Sequence, residues 1–347
     1  MNCPQFHQVR WRLRLALVLC VVGAWPDPGH AATVSVGRDA GQPGSLCQFD
    51  RLQAAVDSLP NDGAIHLVEV QADRYTRPVD TLRVAGGRRL RIVTAFRGSS
   101  GCTEPETQMR ARIDTPTSSL EGGRQLVVLG GADIELERIV LADGGNGGIL
   151  VRDARVVLRS VRISEQRTPA QASGAAVVIE GGTLLAIDSA FNFNQAGANG
   201  GALFCARSAG RNGQVAIVGS STFQFNQARN GGAVYLFRGC ELRLFDAPLF
   251  ASNQAVLDGG AIATEPATGI GDGSTVAIVH RARFIGNLAG QDGGALQIAA
   301  NNTLEASVGS VPEFADNVAN RAGGALHVSG PGVPVALAGA RFAGNSA

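Results

Sequence analysis

Short apolar segments that alternate with Gly, Asn and Asp dominate the pattern of hydrophobic and polar positions along this chain. The segments at 214–218, 275–279 and 295–298 are rich in Val, Ile and Ala and are bounded by turn-forming residues. Runs of about 4–6 such residues between turn signals are typical of β-strands. No helical periodicity links one segment to the next. The pattern therefore predicts short strands joined by tight turns.

A repeated motif sets the spacing of these strands. Phe-x-x-Asn recurs six times, with 27 to 34 residues from one Phe to the next. After each of the first five copies comes Gly-Gly-Ala and then Leu, Val or Ile, and weaker copies of this second motif lie at 147–149 and 173–175. The motifs begin and end at Phe191 and Asn194, Phe223 and Asn226, Phe250 and Asn253, Phe284 and Asn287, Phe314 and Asn317, and Phe342 and Asn345.

The variable repeat length favours a parallel β-helix, because helical solenoids keep a nearly fixed period whereas β-coils accept insertions in their turns. The predicted fold is all-β, a right-handed parallel β-helix solenoid. Coils stack about 4.8 Å apart, so a residue repeated once per coil forms a ladder. We expect Phe to stack inside, Asn to form an internal amide ladder, and the Gly pair to supply positive φ. An exposed binding column of Phe is the alternative.

The region before the repeats reads as a lead-in to the same solenoid. Leu52, Ala55, Val56 and Leu59 lie at one-face helical spacing within 50–60, which predicts a short helix that caps the first coil. Strand-like runs follow at 65–70, 90–93, 125–129, 134–141 and 156–163. We therefore predict one continuous domain over 32–347, with a lead-in and first coils at 32–120 and the motif repeats at 191–345.

The first 31 residues have the features of a secretory signal peptide. Arg10, Arg12 and Arg14 precede an apolar run at 15–25, and small residues lie before a cleavage point after Ala31. A buried N-terminal helix and a lipoprotein signal at Cys20 are the alternatives. No other segment is long and apolar enough for a membrane span, so we expect no transmembrane segment once the signal is removed.

Composition narrows the class of protein. The chain has 46 Gly in 347 residues, 17% charged residues and a formal charge of +1, and all 30 basic residues are Arg. The hydrophobic share of 45% excludes a disordered chain, and the irregular Gly spacing excludes collagen. The near-neutral charge argues against nucleic-acid binding, since phosphate contacts require a basic surface.

Cysteine usage is consistent with export. Removal of residues 1–31 leaves Cys47, Cys102, Cys205 and Cys240, an even number that fits two disulfides in an oxidising compartment. Three pairings are possible. We favour Cys47–Cys102 and Cys205–Cys240, because each pair lies within one neighbourhood of the repeat pattern. Free buried thiols are the alternative.

These features carry a resemblance to known families. The lead-in and the stacked coils resemble the pectin-lyase-like parallel β-helix superfamily, over about 33–347. The Phe-x-x-Asn and Gly-Gly-Ala motifs more specifically resemble the repeats of polymorphic outer membrane proteins. The resemblance implies an exported bacterial protein with an adhesive role. Those proteins continue into a membrane-anchoring domain, whereas this sequence stops partway through a coil at 342–347, so a truncated passenger of a longer protein is a further possibility.

Candidate catalytic chemistry is sparse. The superfamily includes lyases and hydrolases that act on acidic polysaccharides with clustered carboxylates. Asn-Thr-Asp, Asp-Asp and Gly-His-Gly are absent, and the histidines of the mature chain are isolated. We therefore predict no catalytic residues and no cofactor. The enzyme hypothesis would require one outer face, with carboxyls about 6–9 Å apart, formed by Asp143, Asp153, Glu180 and Asp188.

One polar column precedes the Gly pairs. It consists of Asn199, Asn230, Asp258 and Asp292. Asp258 and Asp292 are weak Ca²⁺ candidates, because adjacent carboxylates can share this ion. Turn capping by Asx side chains is the more ordinary interpretation.

Together these features predict a non-catalytic exported β-helix at the cell outer membrane surface or in the extracellular medium. Its role would be structural or adhesive, with a surface protein or a glycan as partner. The alternative hypothesis is a polysaccharide lyase or a glycoside hydrolase on the same scaffold.

Overall fold

The computed structural model describes residues 32–37, 40–43, 45–72, 74–75, 81–95, 102, 110–114, 123–269 and 271–347. The predicted signal peptide at 1–31 lies outside these residues. The described chain is nearly all-β and forms four sheets in which every strand pairs in parallel with its neighbours. The predicted parallel β-helix is therefore confirmed.

Sheets A and B form two faces of the solenoid. Sheet A consists of β1 (Thr33–Val36), β2 (Ile65–Val70), β5 (Arg89–Thr94), β8 (Asp133–Glu137), β11 (Arg155–Arg159), β14 (Thr183–Ile187), β17 (Gly213–Val218), β21 (Cys240–Leu244), β25 (Thr275–Ile278), β29 (Thr303–Ala306) and β33 (Val335–Ala336). Sheet B consists of β3 (Arg74–Tyr75), β6 (Ala111–Asp114), β9 (Ile139–Ala142), β12 (Arg162–Ser164), β15 (Ala190–Asn192), β18 (Thr222–Gln224), β22 (Leu249–Ala251), β26 (Arg283–Ile285), β30 (Glu313–Ala315) and β34 (Arg341–Ala343).

Sheets C and D complete each coil, which runs from A to B, then through D where it is present, and on to C. Sheet C consists of β4 (Leu82–Val84), β7 (Leu126–Leu129), β10 (Ile149–Arg152), β13 (Val177–Glu180), β16 (Leu203–Ala206), β20 (Val234–Phe237), β24 (Ile262–Thr264), β28 (Leu296–Ile298) and β32 (Leu326–Val328). Sheet D consists of β19 (Gln227–Ala228), β23 (Gln254–Ala255), β27 (Leu288–Ala289) and β31 (Val318–Ala319).

The motif phenylalanines lie at equivalent positions of sheet B. Phe191 pairs in register with Phe223, which pairs with Phe250, and the column continues to Phe342. The rings stack with centroids 4.5 to 5.1 Å apart. The first five are completely buried and Phe342 is half exposed. This aromatic stack fills the core of the second half of the solenoid.

The motif asparagines form a hydrogen-bonded ladder beside that stack. The Nδ2 of Asn226 donates to Asn253 Oδ1 at 2.9 Å and to the Phe191 carbonyl of the preceding coil at 2.8 Å. Asn253 repeats both bonds with Asn287 and Phe223. Each Oδ1 also accepts the backbone N–H of the Asn one coil earlier. Polar groups in the interior of the turn are thus satisfied.

The Gly pairs have two separate physical reasons. The first glycine of each pair is left-handed, as at Gly231 with φ 59°. The second has an ordinary φ but no room for a side chain. A Cβ on Gly232 would lie 2.2 Å from the Gly260 carbonyl oxygen of the next coil. The coils therefore lie too close together at the second glycine to accept a side chain.

The helix α1 (Leu52–Ser58) lies within the predicted segment, and its apolar residues join the hydrophobic core next to β1 and β4. The two disulfides are Cys47–Cys102 and Cys205–Cys240, which confirms the favoured pairing. Gly213 packs against the second bridge, because a Cβ there would lie 2.5 Å from Cys205 Sγ. Such bridges indicate folding outside the reducing cytoplasm.

Candidate functional site

The residue that follows each strand of sheet B from β9 onward forms a column on the outer corner of the solenoid, called the corner column here. All its members have positive φ, between 53° and 62°. This region suits Gly, Asn and Asp and disfavours bulky side chains. The corner column consists of Asp143, Glu165, Phe193, Phe225, Ser252, Gly286, Asp316 and Gly344.

Two members of the corner column are exposed aromatic residues. Phe193 is 56% exposed and Phe225 is 47% exposed. Their rings stack with centroids 5.0 Å apart and planes 5° from parallel. A left-handed backbone costs a non-Gly residue about 1–2 kcal/mol, and here partial burial offsets little of that cost. The stacked pair is therefore presented to solvent at some expense of stability.

The corner column is open on one side of this pair. After Phe225 come Ser252 and Gly286, and the next larger side chain is the exposed Asp316. A Cβ added to Gly286 would have Ser252 Oγ, at 4.0 Å, as its nearest neighbour. Two coil rises of about 4.8 Å give an opening of roughly 10 Å along the axis. We call this opening the notch.

Amide side chains flank the corner column on both sides. Asn192 and Gln224 lie in register one residue before it. Gln195, Gln227 and Gln254 lie in register two residues after it, and all three are exposed. The two rows place amide donors and acceptors beside the Phe pair and the notch.

A second aromatic group lies on the outer face of sheet C. Phe204 stacks with Tyr235 at 6.1 Å and with Phe237 at 6.0 Å, and Arg238 lies over the Phe237 ring. Tyr235 is 5% exposed and its hydroxyl donates to Glu265. Burial, followed by that hydrogen bond, raises the Tyr235 pKa. This group is mostly covered, in contrast to the Phe193–Phe225 pair.

At the other end of the corner column, carboxylates gather around one arginine. Arg112 donates to Asp114 Oδ1 and to Asp143 Oδ2, both at 2.7 Å. A hydrogen bond with Asp143, and then burial, raises the pKa of Glu165. A carboxyl whose pKa is raised by a neighbouring carboxyl is a feature of acid–base sites and also of structural ion-pair networks.

The candidate Ca²⁺ residues have protein partners. Asp258 Oδ1 accepts the backbone N–H of Asp292 at 3.1 Å, which is Asx capping. Asp292 Oδ1 accepts Arg321 Nε at 2.7 Å, and Oδ2 accepts Arg321 Nη2. These bonds lower the pKa of Asp292. Among the described residues, no three His, Cys, Asp or Glu side chains are grouped to hold a metal ion.

The four carboxylates that the enzyme hypothesis requires on one face lie at three corners of the coil. Asp143 follows sheet B, Asp188 follows sheet A, and Asp153 and Glu180 lie at the end of sheet C. Glu180 accepts Arg152 Nε at 2.6 Å, and Asp188 Oδ1 accepts the N–H of Ser220. The arrangement that the enzyme hypothesis would require is therefore not formed, because the four carboxylates are divided among three corners.

The isolated histidines also stay apart. His66 contacts Asp62 beside α1, and His280 accepts the backbone N–H of Asp246 on the sheet A side. His327 lies in sheet C near Asp292. No catalytic grouping of these three side chains is formed.

Sequence reasoning missed the exposed pair. The two coils that contribute it read Phe-Asn-Phe-Asn and Phe-Gln-Phe-Asn at 191–194 and 223–226. The second Phe falls on the residue before the buried Asn, where the other copies carry Ser, Gly or Asp. The available signal was an aromatic residue at a position that the other copies fill with the turn-forming residues Ser, Gly or Asp.

Comparison with known protein families, with curated proteins and with solved structures finds no significant match to this chain. None of the described helical residues forms a segment with the length and apolar character needed to cross a bilayer.

Proposed function

We propose that this protein is an exported, non-catalytic parallel β-helix that acts by binding at the cell surface or outside the cell. The exposed, stacked Phe193–Phe225 pair carries the proposal. A solenoid of this kind is stabilised by its buried ladders, and an outward aromatic pair in a left-handed backbone adds nothing to them. Exposed aromatic residues in a rigid framework are common recognition elements.

Three further features support an exported surface location. The two disulfides favour an oxidising compartment. Residues 1–31 read as a secretory signal. The motif resembles the repeats of bacterial polymorphic outer membrane proteins, within the pectin-lyase-like superfamily, which favours an adhesive protein of the bacterial outer membrane surface.

The proposal is tested by adhesion of the purified protein to intact cells and to immobilised matrix. We expect saturable binding that falls at least about tenfold in the double variant Phe193→Ser/Phe225→Ser, because the exposed aromatic area is lost. Val256→Ser is the matched control, since Val256 is 68% exposed but lies off the corner column. Equal binding by the double variant and the native protein would refute the proposal.

A second candidate function is a lyase or glycoside hydrolase acting on acidic polysaccharide. The observation in its favour is the Asp143–Glu165 pair beside Arg112, with a raised pKa at Glu165. A carboxyl whose pKa is raised by a neighbouring carboxylate is suited to general acid work. The test is product release from acidic polysaccharides. Turnover that disappears in Glu165→Gln would establish this alternative, and absence of turnover would leave the binding function.

A further inference from the structure

The notch beside Phe225 has the dimensions and chemistry of a ligand site. We propose that it binds one pyranose ring of a neutral glycan, stacked on the free face of Phe225. This inference rests on the proposed binding function and deepens it by naming the ligand class and the site.

The Phe193–Phe225 pair has an uncovered ring face on the side of the notch. Phe193 and Phe225 lie one above the other at nearly the coil spacing, so each covers one face of the other. The second face of Phe193 looks toward the Glu165 coil. The second face of Phe225 looks over Ser252, whose side chain is too small to cover a ring, and beyond it over Gly286. Phe225 is therefore the platform and Phe193 its support.

The notch has room for one six-membered ring. The stacked phenylalanine rings of sheet B and of the corner column lie 4.5 to 5.1 Å apart. A ring stacked on Phe225 would occupy the level of Ser252, and Gly286 would give clearance above it. The next obstacle is Asp316, a coil further on. The notch thus accepts one saturated six-membered ring, and its open outer side lets a longer chain continue into solvent.

Amide side chains beside the notch can bind the hydroxyl groups of a sugar. A pyranose presents C–H groups on its faces, which suit the negative face of an aromatic ring, and hydroxyls at its rim. The rim requires groups that both donate and accept, which amides provide. Gln227 and Gln254 border the platform and the notch, are exposed, and make no side-chain hydrogen bond with the described residues.

The charged residues near the notch favour a neutral glycan over an acidic one. An acidic sugar would need unpaired cations beside the platform. Arg283 is the single cationic residue on β18, β22 and β26, the strands that lead into the platform and the notch, and it donates to Glu313 at 2.9 Å. The corner column itself carries only carboxylates as charged groups, at Asp143, Glu165 and Asp316. Their negative charge disfavours binding of a uronate along the column.

The test is titration of the purified protein with cellohexaose, maltohexaose and mannohexaose, followed by isothermal calorimetry and saturation-transfer NMR. We expect at least one of these to bind. We expect Phe225→Ala to weaken binding at least about tenfold and Phe193→Ala to weaken it less. Ser252→Phe should abolish binding, because it extends the existing stack into the notch while Phe225 remains in place. Its folding is checked by thermal unfolding.

Phe204→Ala is the matched control, since Phe204 is an outer aromatic residue on sheet C. It should leave glycan binding unchanged. The inference is overturned if none of the neutral hexasaccharides binds, if an oligogalacturonate binds more tightly than all of them, or if Phe225→Ala and Ser252→Phe bind like the native protein. Adhesion to cells that persists in these cases would keep the binding function and reject only the glycan site. Release of cleaved product would instead reject the binding function.

Discussion

The two halves of the solenoid, residues 123–190 and 191–345, build the same coil with different side chains. In the second half Phe fills the sheet B core and Asn fills the turn. In the first half Ile163 pairs in register with Phe191, and Leu141 pairs with Ile163. The aromatic column therefore continues upstream as an aliphatic one, and the register of the sheet is unbroken.

The turn shows a less obvious replacement. The residue three after Ile163 is Gln166, and its backbone N–H donates to Asn194 Oδ1 at 3.2 Å. One coil earlier the equivalent residue is Gly144, which has no side-chain amide. Gln125 enters from a different part of the coil and donates to the Ile113 carbonyl at 3.0 Å. It thus makes the bond to the preceding coil that an Asn makes in the repeats.

The difference between the two halves indicates that the need for a hydrogen-bond donor comes from the buried backbone carbonyl, and that an amide outside the motif can meet it. Each interior turn needs a donor for the carbonyl of the coil before it. Asn meets the need locally and visibly in the sequence. Gln125 meets it from a distance, and the Gln166 Nε2 donates to Gln125 Oε1 at 2.9 Å.

Asn253→Ala, which removes the turn amide of one repeat, should have the largest effect on stability. The change removes bonds with Phe223 O, Asn287 Oδ1, and the backbone and side-chain amides of Asn226. Each buried group left unpaired costs about 1–3 kcal/mol, so we expect a loss of about 5 kcal/mol in the free energy of unfolding. Urea denaturation measures it. Gln254→Ala, one residue on and exposed, should change stability by less than about 0.5 kcal/mol.

Phe250→Ala tests the aromatic stack. Phe250 is fully buried between Phe223 and Phe284. Removing a buried Phe typically costs about 3–5 kcal/mol, through lost burial and a cavity. Phe225→Ala, at an exposed ring two residues after Phe223, should cost less than about 0.5 kcal/mol. Similar losses at the two positions would mean that the buried stack does not stabilise the coils.

Gln166→Ala tests the upstream half and should have a smaller effect than Asn253→Ala. It removes one side-chain bond, to Gln125, and leaves the backbone bond to Asn194. We expect a loss of about 2 kcal/mol from the unpaired Gln125 oxygen and the vacated volume. Denaturation under the same conditions gives the ratio. A loss as large as that of Asn253→Ala would show that both halves depend equally on their turn amides.

The smallest expected effect is the pH dependence of one carboxyl in each half. The Asp143 hydrogen bond raises the pKa of Glu165, so its stabilisation is present below the unfolded pKa and lost as pH rises through the folded one. The Arg321 hydrogen bonds lower the pKa of Asp292, so its stabilisation is present above the unfolded pKa and lost as pH falls through the folded one.

At neutral pH we therefore expect Glu165→Gln to be at least as stable as the native protein and Asp292→Asn to be less stable. The advantage of Glu165→Gln should vanish near about pH 4, and the deficit of Asp292→Asn should shrink as Asp292 becomes protonated. Carboxyl carbon NMR titration gives the two midpoints directly. Identical midpoint shifts in the same direction would contradict the opposite environments.

Much of the fold could be predicted, because each coil of the solenoid repeats the same residue types in the sequence. Phe191 to Phe314 and their asparagines recur once per coil, and so do the Gly pairs. The site could not be predicted in the same way. The notch depends on Ser252 and Gly286 being small where Phe225 is large, and these residues are neighbours only because successive coils stack.

The coil class, the region of the first helix and the favoured disulfide partners could be read from the sequence, since each depends on periodicity or on proximity along the chain. Which Phe faces outward and which glutamine replaces the missing Asn became visible in the folded coils. The stacking of the coils also places the carboxylates that the enzyme hypothesis would require on one face at three different corners. Those features depend on alignment between coils whose lengths vary, and that alignment is fixed by the hydrogen-bond register of the sheets.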